Sequence, residues 1–591
     1  MHSAHERLTR WPALDLAAKR ARLQNSLHLS PGAIADALDG SAEVAGRAAA
    51  GLWRRDPSVW SAEATVQKAI ADRLGWMSSP LLMAASVDRL RTFADRVKRD
   101  GVTDVVLLGM GGSSLTPEVL RAILGVAEGW PRFHMLDSTD PAAVRATDTA
   151  PRQTLYLLAS KSGTTIEPNA LAAHFRQRLI DAGVPRWGDH FVAITDPGTE
   201  LDRRARAEQF RDVFTNPADI GGRYSALSFF GLVPAALMGQ DIEAIVGWGL
   251  AMLAAAEPGA GRTTGNPAVA LGLAIGAGAL VGRDKLTLIV PRAFDAFGLW
   301  VEQLIAESTG KNGKGVVPIA GEPLADPASY GKDRLFVRIR VDEPHGDAGR
   351  EAAMRELKTL APVVEIDVAE PAALGAEFLR WEIATAIAGA LISIDPFDQP
   401  NVQQAKNATQ ALLAQYKTGG RLPIATPDAE TPAGVALTVT RTARTALQHS
   451  ADSILTLIKP GDYFALLAYL APSAALEKEL QGLRRAVRER THAATMFGYG
   501  PRYLHSTGQL HKGGPNCGVF LLITAAPVED LPIPGETFSF GTLELAQAAG
   551  DFAALDSAGR RGLHAHLPSP DPAGVHQLCE TLLARLTLKS G

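Results

Sequence analysis

The chain has 591 residues, 46% hydrophobic and 21% charged, with a formal net charge of −4. That is the profile of an ordinary soluble protein long enough for two or more domains, and it excludes the polyelectrolyte surface of a nucleic-acid binder. Its two cysteines, Cys517 and Cys579, exclude a disulfide framework and a multi-thiolate metal site and fit a reducing compartment.

Met1-His-Ser-Ala-His-Glu-Arg7 lacks the apolar core of a signal peptide, so the expected location is the cytoplasm. Residues 1–98 read as a helical segment: apolar residues recur at helical spacing and Ser30-Pro31-Gly32 marks a helix start. From Thr103 the pattern changes to short apolar runs, each followed by a polar loop and an amphipathic stretch. The runs are Val105–Leu108, Phe133–Leu136, Leu155–Leu158 and Phe191–Ile194. Strands alternating with helices predict βαβ units around a buried parallel sheet, here over 99–255.

Ala256-Glu-Pro-Gly-Ala-Gly261 reads as a linker. The Ala/Gly-rich span Ala268 to Val281 that follows it is too short to cross a bilayer, so no membrane partner is expected. A second set of strands then follows: Leu286–Val290, Leu335–Ile339, Val363–Ile366, Tyr463–Leu467 and Val519–Ile523. These predict a second doubly wound unit over 262–530, interrupted near 415–455 by an insertion whose Pro- and Gly-rich part runs from Gly419 to Gly434. Residues 531–591 form a C-terminal extension. The expected fold is thus α/β, two doubly wound parallel-sheet domains behind an N-terminal helical segment, with a site between them.

The loops after the first strands carry the chemistry. Gly109-Met-Gly-Gly-Ser-Ser114 leads into a helix with Pro117 in its first turn. Backbone N–H groups of Gly111, Gly112 and Ser113 at such a turn face an anion favourably. The rival reading is a dinucleotide fingerprint, with Asp137 as the ribose acid, but Ser114 stands where its third glycine belongs. Ser160-Lys161-Ser162-Gly163-Thr164-Thr165 follows the third strand and again leads into a helix. An N-cap explains one hydroxyl there, not four, and this loop surrounds a monophosphate better than it caps a helix.

Asp219-Ile-Gly-Gly-Arg-Tyr-Ser-Ala-Leu-Ser228 adds a glycine pair, a fixed guanidinium and hydroxyls on one short loop. This string closely resembles the loop motif of the glucose-6-phosphate isomerase family, and the two phosphate loops resemble that family's sugar isomerase (SIS) fold. Two further strings extend the resemblance. Glu307-Ser-Thr-Gly-Lys311 is similar to the segment carrying the family's base, which implies Glu307 as the group that moves a proton between adjacent carbons. Phe397-Asp-Gln-Pro-Asn-Val-Gln-Gln-Ala-Lys406 is similar to its second motif, which implies that Gln399 binds phosphate and Lys406 assists ring opening. Asn401 and Gln403 stand there in place of the usual glycine and glutamate.

Over most of residues 50–525 the chain is nearest to the isomerase portion of fused transaldolase/glucose-6-phosphate isomerases, which carry a stretch like Arg502 to Gln509. A transaldolase barrel needs about 250 residues that the chain does not have to spare. The resemblance implies interconversion of glucose 6-phosphate and fructose 6-phosphate through a cis-enediolate. In it Arg223 steadies the oxyanion and His505, in Leu504-His-Ser506, opens the ring. His505 follows Lys406 here, whereas relatives place their histidine before the lysine, and His511 is its neighbour and rival. The same resemblance implies a phosphosugar substrate, a homodimer and no redox cofactor; the sequence has neither a His-Glu-x-x-His helix nor a Cys/His cluster for a metal. A dual phosphoglucose/phosphomannose isomerase and a non-catalytic sugar-phosphate sensor are the alternatives. A sensor has no need of Glu307, Arg223 and Lys406 together.

Overall fold

The computed structural model describes residues 13–259, 263–341, 348–423, 425–448 and 450–586. Met1 to Arg7, Ala260 and Gly261 of the expected linker, Ile424 of the expected insertion and residues 587–591 of the C-terminal extension lie outside them. No described helix is long and apolar enough to cross a membrane.

The N-terminal segment is helical as expected, with helices such as Ala13–Gln24, Ala35–Trp53 and Val87–Arg99. It also holds one short strand, β1 (Leu27–Ser30), which pairs antiparallel with a strand more than 300 residues away. The first sheet follows: β2 (Asp104–Gly109), β3 (Arg132–Leu136), β4 (Thr154–Ala159), β5 (Phe191–Thr195) and β6 (Asp212–Thr215). All its pairings are parallel, in the order β3-β2-β4-β5-β6. Every residue of β2 and β4 is buried, which is why these strands read as unbroken apolar runs rather than as an alternation.

Strands β7 (Lys285–Ile289), β8 (Val317–Ile319), β9 (Arg334–Val341) and β10 (Val363–Val368) are parallel and form the second sheet with β1, in the order β1-β10-β9-β7-β8. The expected strands at Tyr463 and Val519 are not in it. They belong to a third sheet containing β11 (Ala429–Glu430), β12 (Ala436–Val439), β13 (Tyr463–Tyr469), β14 (Ala494–Tyr499), β15 (Gly518–Ala525) and β16 (Arg561–Leu567). Its order is β11-β12-β16-β15-β13-β14; β13 to β16 are mutually parallel, and β11 and β12 extend one edge antiparallel. The α/β class and the parallel sheets are therefore as expected, but strands read as one second unit divide between two sheets. The Gly419–Gly434 stretch does not interrupt a sheet: it leads from the helix Val402–Gly419 into the third one.

Side-chain alternation explains how the third sheet is attached. Val105 and Leu107 of β2 face the core shared with the N-terminal helices, while Val106 and Leu108 face a core that includes Phe540, Leu543 and Ala546. Those three residues lie on the helix Phe540–Ser557, between β15 and β16. On another side, Ala306, Val317 and Ile319 of the second unit pack with Tyr463, Leu467 and Tyr503 of the third. The third sheet thus closes over both others, and the segment between β14 and β15 falls where all three meet.

Candidate active site

The turn Gly111–Ser113 ends β2 and is followed by the helix Leu115–Leu124. Gly111 has φ +54, and a Cβ there would stand 2.8 Å from the His505 carbonyl oxygen and 2.9 Å from Gln303 Nε2. At Gly112 a Cβ would stand 2.0 Å from the Gly222 carbonyl oxygen. Only glycine lets the turn, the Gly222-Arg223 loop and the His505 segment approach this closely. Asp137, the candidate ribose acid, is instead held by both Nε and Nη2 of Arg502, at 2.7 and 2.8 Å.

Beyond β4, the hydroxyls of Ser160 and Thr165 lie 3.1 Å apart, as Ser162 and Thr164 do at 3.0 Å. Ser160 Oγ also accepts from the Gly163 N–H at 3.1 Å. These contacts fold the loop into a cup before the helix Ile166–Asp181. Lys161 reaches out of the cup: its ammonium pairs with Asp196 and donates to the Ala218 carbonyl at 3.0 Å.

Arg223 is buried at 4% exposure, with its guanidinium fully engaged. Nε donates to Ser308 Oγ (2.7 Å), Nη1 to Gln399 Oε1 (3.0 Å), and Nη2 to the carbonyls of Pro396 (2.6 Å) and Asp398 (2.9 Å). Its Nη1 also stands 3.2 Å from Glu307 Oε1. Three residues of the string Glu307–Lys311 meet this network. Glu307 and Ser308 meet the guanidinium, and the Lys311 ammonium binds the Asp395 and Asp398 carbonyls at 2.7 and 2.6 Å. Burial first, and the Arg223 charge second, bring the Lys311 ammonium down to about 8.

Gln303 lies one turn before Glu307 on the helix Asp295–Thr309 and went unnoticed in the sequence. Its Nε2 donates to Glu307 Oε2 (3.1 Å) and to the His505 carbonyl (2.8 Å), joining the carboxylate to the third sheet. Four-residue spacing puts Gln303 and Glu307 on one helix face, and that was the available signal.

His505 comes from the segment between β14 and β15, and its Nε2 lies 2.8 Å from Glu167 Oε1. Glu167 is the second residue missed. An acid in the first turn of a helix is ordinary, so nothing distinguished it. Burial alone would push the Glu167 carboxyl up, but the charge and hydrogen bond of His505, with help from Lys406, hold it below its ordinary value. An ionised carboxylate only accepts, so His505 Nε2 carries the proton that lies between the two groups. His511, the rival, is buried between aromatic rings with Nδ1 3.2 Å from the Tyr463 hydroxyl. Burial, then the Lys512 and Arg560 charges, hold it far below its ordinary value.

A cleft of about 170 Å³ is lined by Thr164, Thr165, Glu167, Lys406, His505 and Gln547, among others. Lys406 is exposed there, on the helix Val402–Gly419. The departure at Asn401 has a structural reason: its side chain accepts from Gln509 Nε2 at 2.8 Å, and its N–H donates to Gln509 Oε1 at 2.8 Å. That pair ties the lysine's helix to the histidine's segment. Larger hollows at the second sheet are lined by residues such as Arg338, Arg340, Glu351 and Asp367. They gather none of the groups described above. Among the described residues, no set of three His, Cys, Asp or Glu is arranged to hold a metal ion.

A parallel α/β scaffold that gathers a hydroxyl-lined loop, a carboxylate beside a buried guanidinium, and a histidine–carboxylate pair is the architecture of a phosphosugar isomerase. Comparison with known proteins gives the same class. Residues 82–255 match the phosphoglucose isomerase family model. A glucose-6-phosphate isomerase of Rubrobacter xylanophilus is 30% identical over 375 residues, 54% of this chain and 85% of that one. A probable glucose-6-phosphate isomerase of Natronomonas pharaonis is 32% identical over 409 residues, 63% of this chain and 92% of that one. Among solved structures, a hypothetical protein from Thermus thermophilus superposes with TM-score 0.54 at 25% identity, covering 66% of this chain and all of that one. The chain belongs to the glucose-6-phosphate isomerase family, and it is a phosphosugar aldose–ketose isomerase. More than a third of it lies outside each sequence alignment.

Proposed function

We propose that the protein interconverts glucose 6-phosphate and fructose 6-phosphate, with the phosphate held by the Ser160–Thr165 cup and the glycine turn Gly111–Ser113. Hydroxyls, backbone N–H groups and the starts of two helices favour a dianion there. Lys161 contributes at most charge, because its ammonium is committed to Asp196.

Ring opening needs a proton delivered to the ring oxygen and one removed from the anomeric hydroxyl. His505, held on Glu167 through Nε2, makes one of these transfers, and the cleft it lines with Lys406 supports this reading. In the open-chain sugar, the Glu307 carboxylate takes the proton from C2 and returns it to C1. Arg223, in contact with that carboxylate, stabilises the charge that develops on the enediolate oxygen. Gln399, bonded to Arg223, sits beside this pair.

The observation that carries the reading is the chain of contacts Arg223–Glu307–Gln303–His505–Glu167, which links residues of three units into one wall. The test is a coupled assay of purified protein on fructose 6-phosphate with chelator present, alongside exchange of the C2 proton with solvent. Turnover accompanied by exchange is expected. The absence of both signals would overturn the proposal.

A further inference from the structure

One feature of the wall has no counterpart in the residues singled out from the sequence. Glu167 Oε1 accepts from His505 Nε2 and also from Gln547 Nε2, at 2.8 and 2.7 Å. Gln547 is 2% exposed and lies on the helix Phe540–Ser557 of the third unit. Its own orientation is fixed from the far side, where the Thr139 hydroxyl donates to Gln547 Oε1 at 2.9 Å. A carboxylate accepts and an amide NH₂ donates, so with Thr139 on the oxygen the amide has only one way to face Glu167. Thr139 thus donates to Gln547 and Gln547 to Glu167, and His505 donates to the same carboxylate from the other side, so both donor paths end on Glu167.

We infer that Gln547 is a positioning residue for ring opening: it holds the Glu167 carboxylate in the place from which that carboxylate orients His505. The inference rests on the proposed role of the His505–Glu167 pair. Two physical facts favour it over simple satisfaction of a buried acid. The first is that both donors converge on the same oxygen, so losing the amide frees that oxygen to swing with the imidazole rather than leaving a distant lone pair empty. The second is the setting of Gln547 itself. Its helix is pinned to the first sheet through Phe540, Leu543 and Ala546, and Asp551 one turn on is bonded to Tyr503 (2.7 Å) and Lys512 (2.5 Å) of the histidine's own segment. One rigid helix therefore sets the position of the acid through Gln547 and of the histidine's segment through Asp551. Precision in a catalytic pair requires such a second layer.

The test compares Gln547→Leu with Glu167→Gln and the double variant, each on cyclic fructose 6-phosphate and on an open-chain substrate. A displacement of about 1 Å costs up to about a hundredfold, so Gln547→Leu is expected to lower kcat on the cyclic substrate by roughly ten- to a hundredfold. KM and turnover of the open-chain substrate should hold, and in the Glu167→Gln background the second change should add little, because both act through one carboxylate. Thr139→Val, which frees the amide without touching the pair, should give a smaller loss of the same kind. It decides the matter alone if Gln547→Leu does not fold. Equal losses on both substrates, or full additivity with Glu167→Gln, would reduce Gln547 to a packing residue. If Glu167→Gln itself leaves cyclic turnover intact, the underlying role of the pair fails instead. If Glu167→Gln is damaging and Gln547→Leu is not, the positioning role alone falls.

Discussion

At their C-terminal ends, β2 and β4 of the first sheet run into short turns of glycine, serine and threonine, while β9 and β10 of the second run into charged side chains that cancel one another. Arg338 and Arg340 of β9 lie in register with Glu365 and Asp367 of β10. They bond to them across the strands, Arg338 to Glu365 at 3.2 Å and Arg340 to Asp367 at 2.6 and 2.8 Å. Both sheets are five-stranded and covered by helices, the first parallel throughout and the second parallel except for its edge strand β1. On the proposed reading the first sheet holds the phosphate because its strands end in glycine and hydroxyl turns that lead into helix starts, which the second sheet's charged strand ends do not offer. At the second sheet the cations are answered by their own neighbours, and a hollow lined with arginine is no anion site for that reason alone.

The sharpest break of the comparison is on the proton-transfer side. Glu307→Gln is nearly isosteric and keeps a hydrogen-bonding partner for Arg223, but removes the base. A thousandfold or greater loss of kcat is expected, on the order of what general base catalysis supplies, and C2 exchange should vanish with it. Turnover within about tenfold of the parent would take Glu307 out of the mechanism.

Arg223→Lys comes next. Lysine keeps the charge but loses the fork that meets Ser308, Gln399, Pro396 and Asp398 at once. A loss of roughly a hundredfold in kcat is expected, as for removal of one oxyanion donor. A change confined to KM would make Arg223 a phosphate ligand instead.

The smallest effect tests the two sheets directly. Ser160→Ala with Thr165→Ala should raise KM and the inhibition constant of phosphate-bearing inhibitors together by about tenfold, since these groups touch a part of the substrate that does not react. Arg340→Leu on the second sheet should leave both constants alone and change stability by no more than about 1 kcal/mol, the worth of a half-exposed ion pair. Reversal of this pattern in calorimetry would move the phosphate from the first sheet to the second.

Much of this was legible in the residues because it is local. Strands buried on both faces appear as apolar runs, so Val105–Leu108, Leu155–Leu158 and Val519–Ile523 each fall inside an observed strand. Turn chemistry is local too, which is why the glycine and hydroxyl loops stood out. What remained hidden is set by distance. Which sheet β13 and β15 join depends on packing against residues far along the chain, and β16, Arg-Gly-Leu-His-Ala-His-Leu, carries polar side chains that mask a strand. Glu167 looks like any acid in a first helical turn, and Gln547 like any polar residue on a helix. Each acquires a role only when the third sheet closes over the first. The position of His505 after Lys406 has the same explanation: the histidine arrives from the third sheet, whose segment 502–513 is bolted to Asp137, Gln303, Asn401 and Asp551.

That placement is the central claim, and one measurement meets it directly: the turnover of His505→Ala on cyclic fructose 6-phosphate against its turnover on a substrate already in open-chain form. If the third sheet supplies the ring-opening group, the cyclic substrate should slow by about a hundredfold or more, the range of general acid–base catalysis, while the open-chain substrate keeps most of its rate. Equal losses on the two would contradict a role in ring opening, and no loss on either would place His505 outside the reaction.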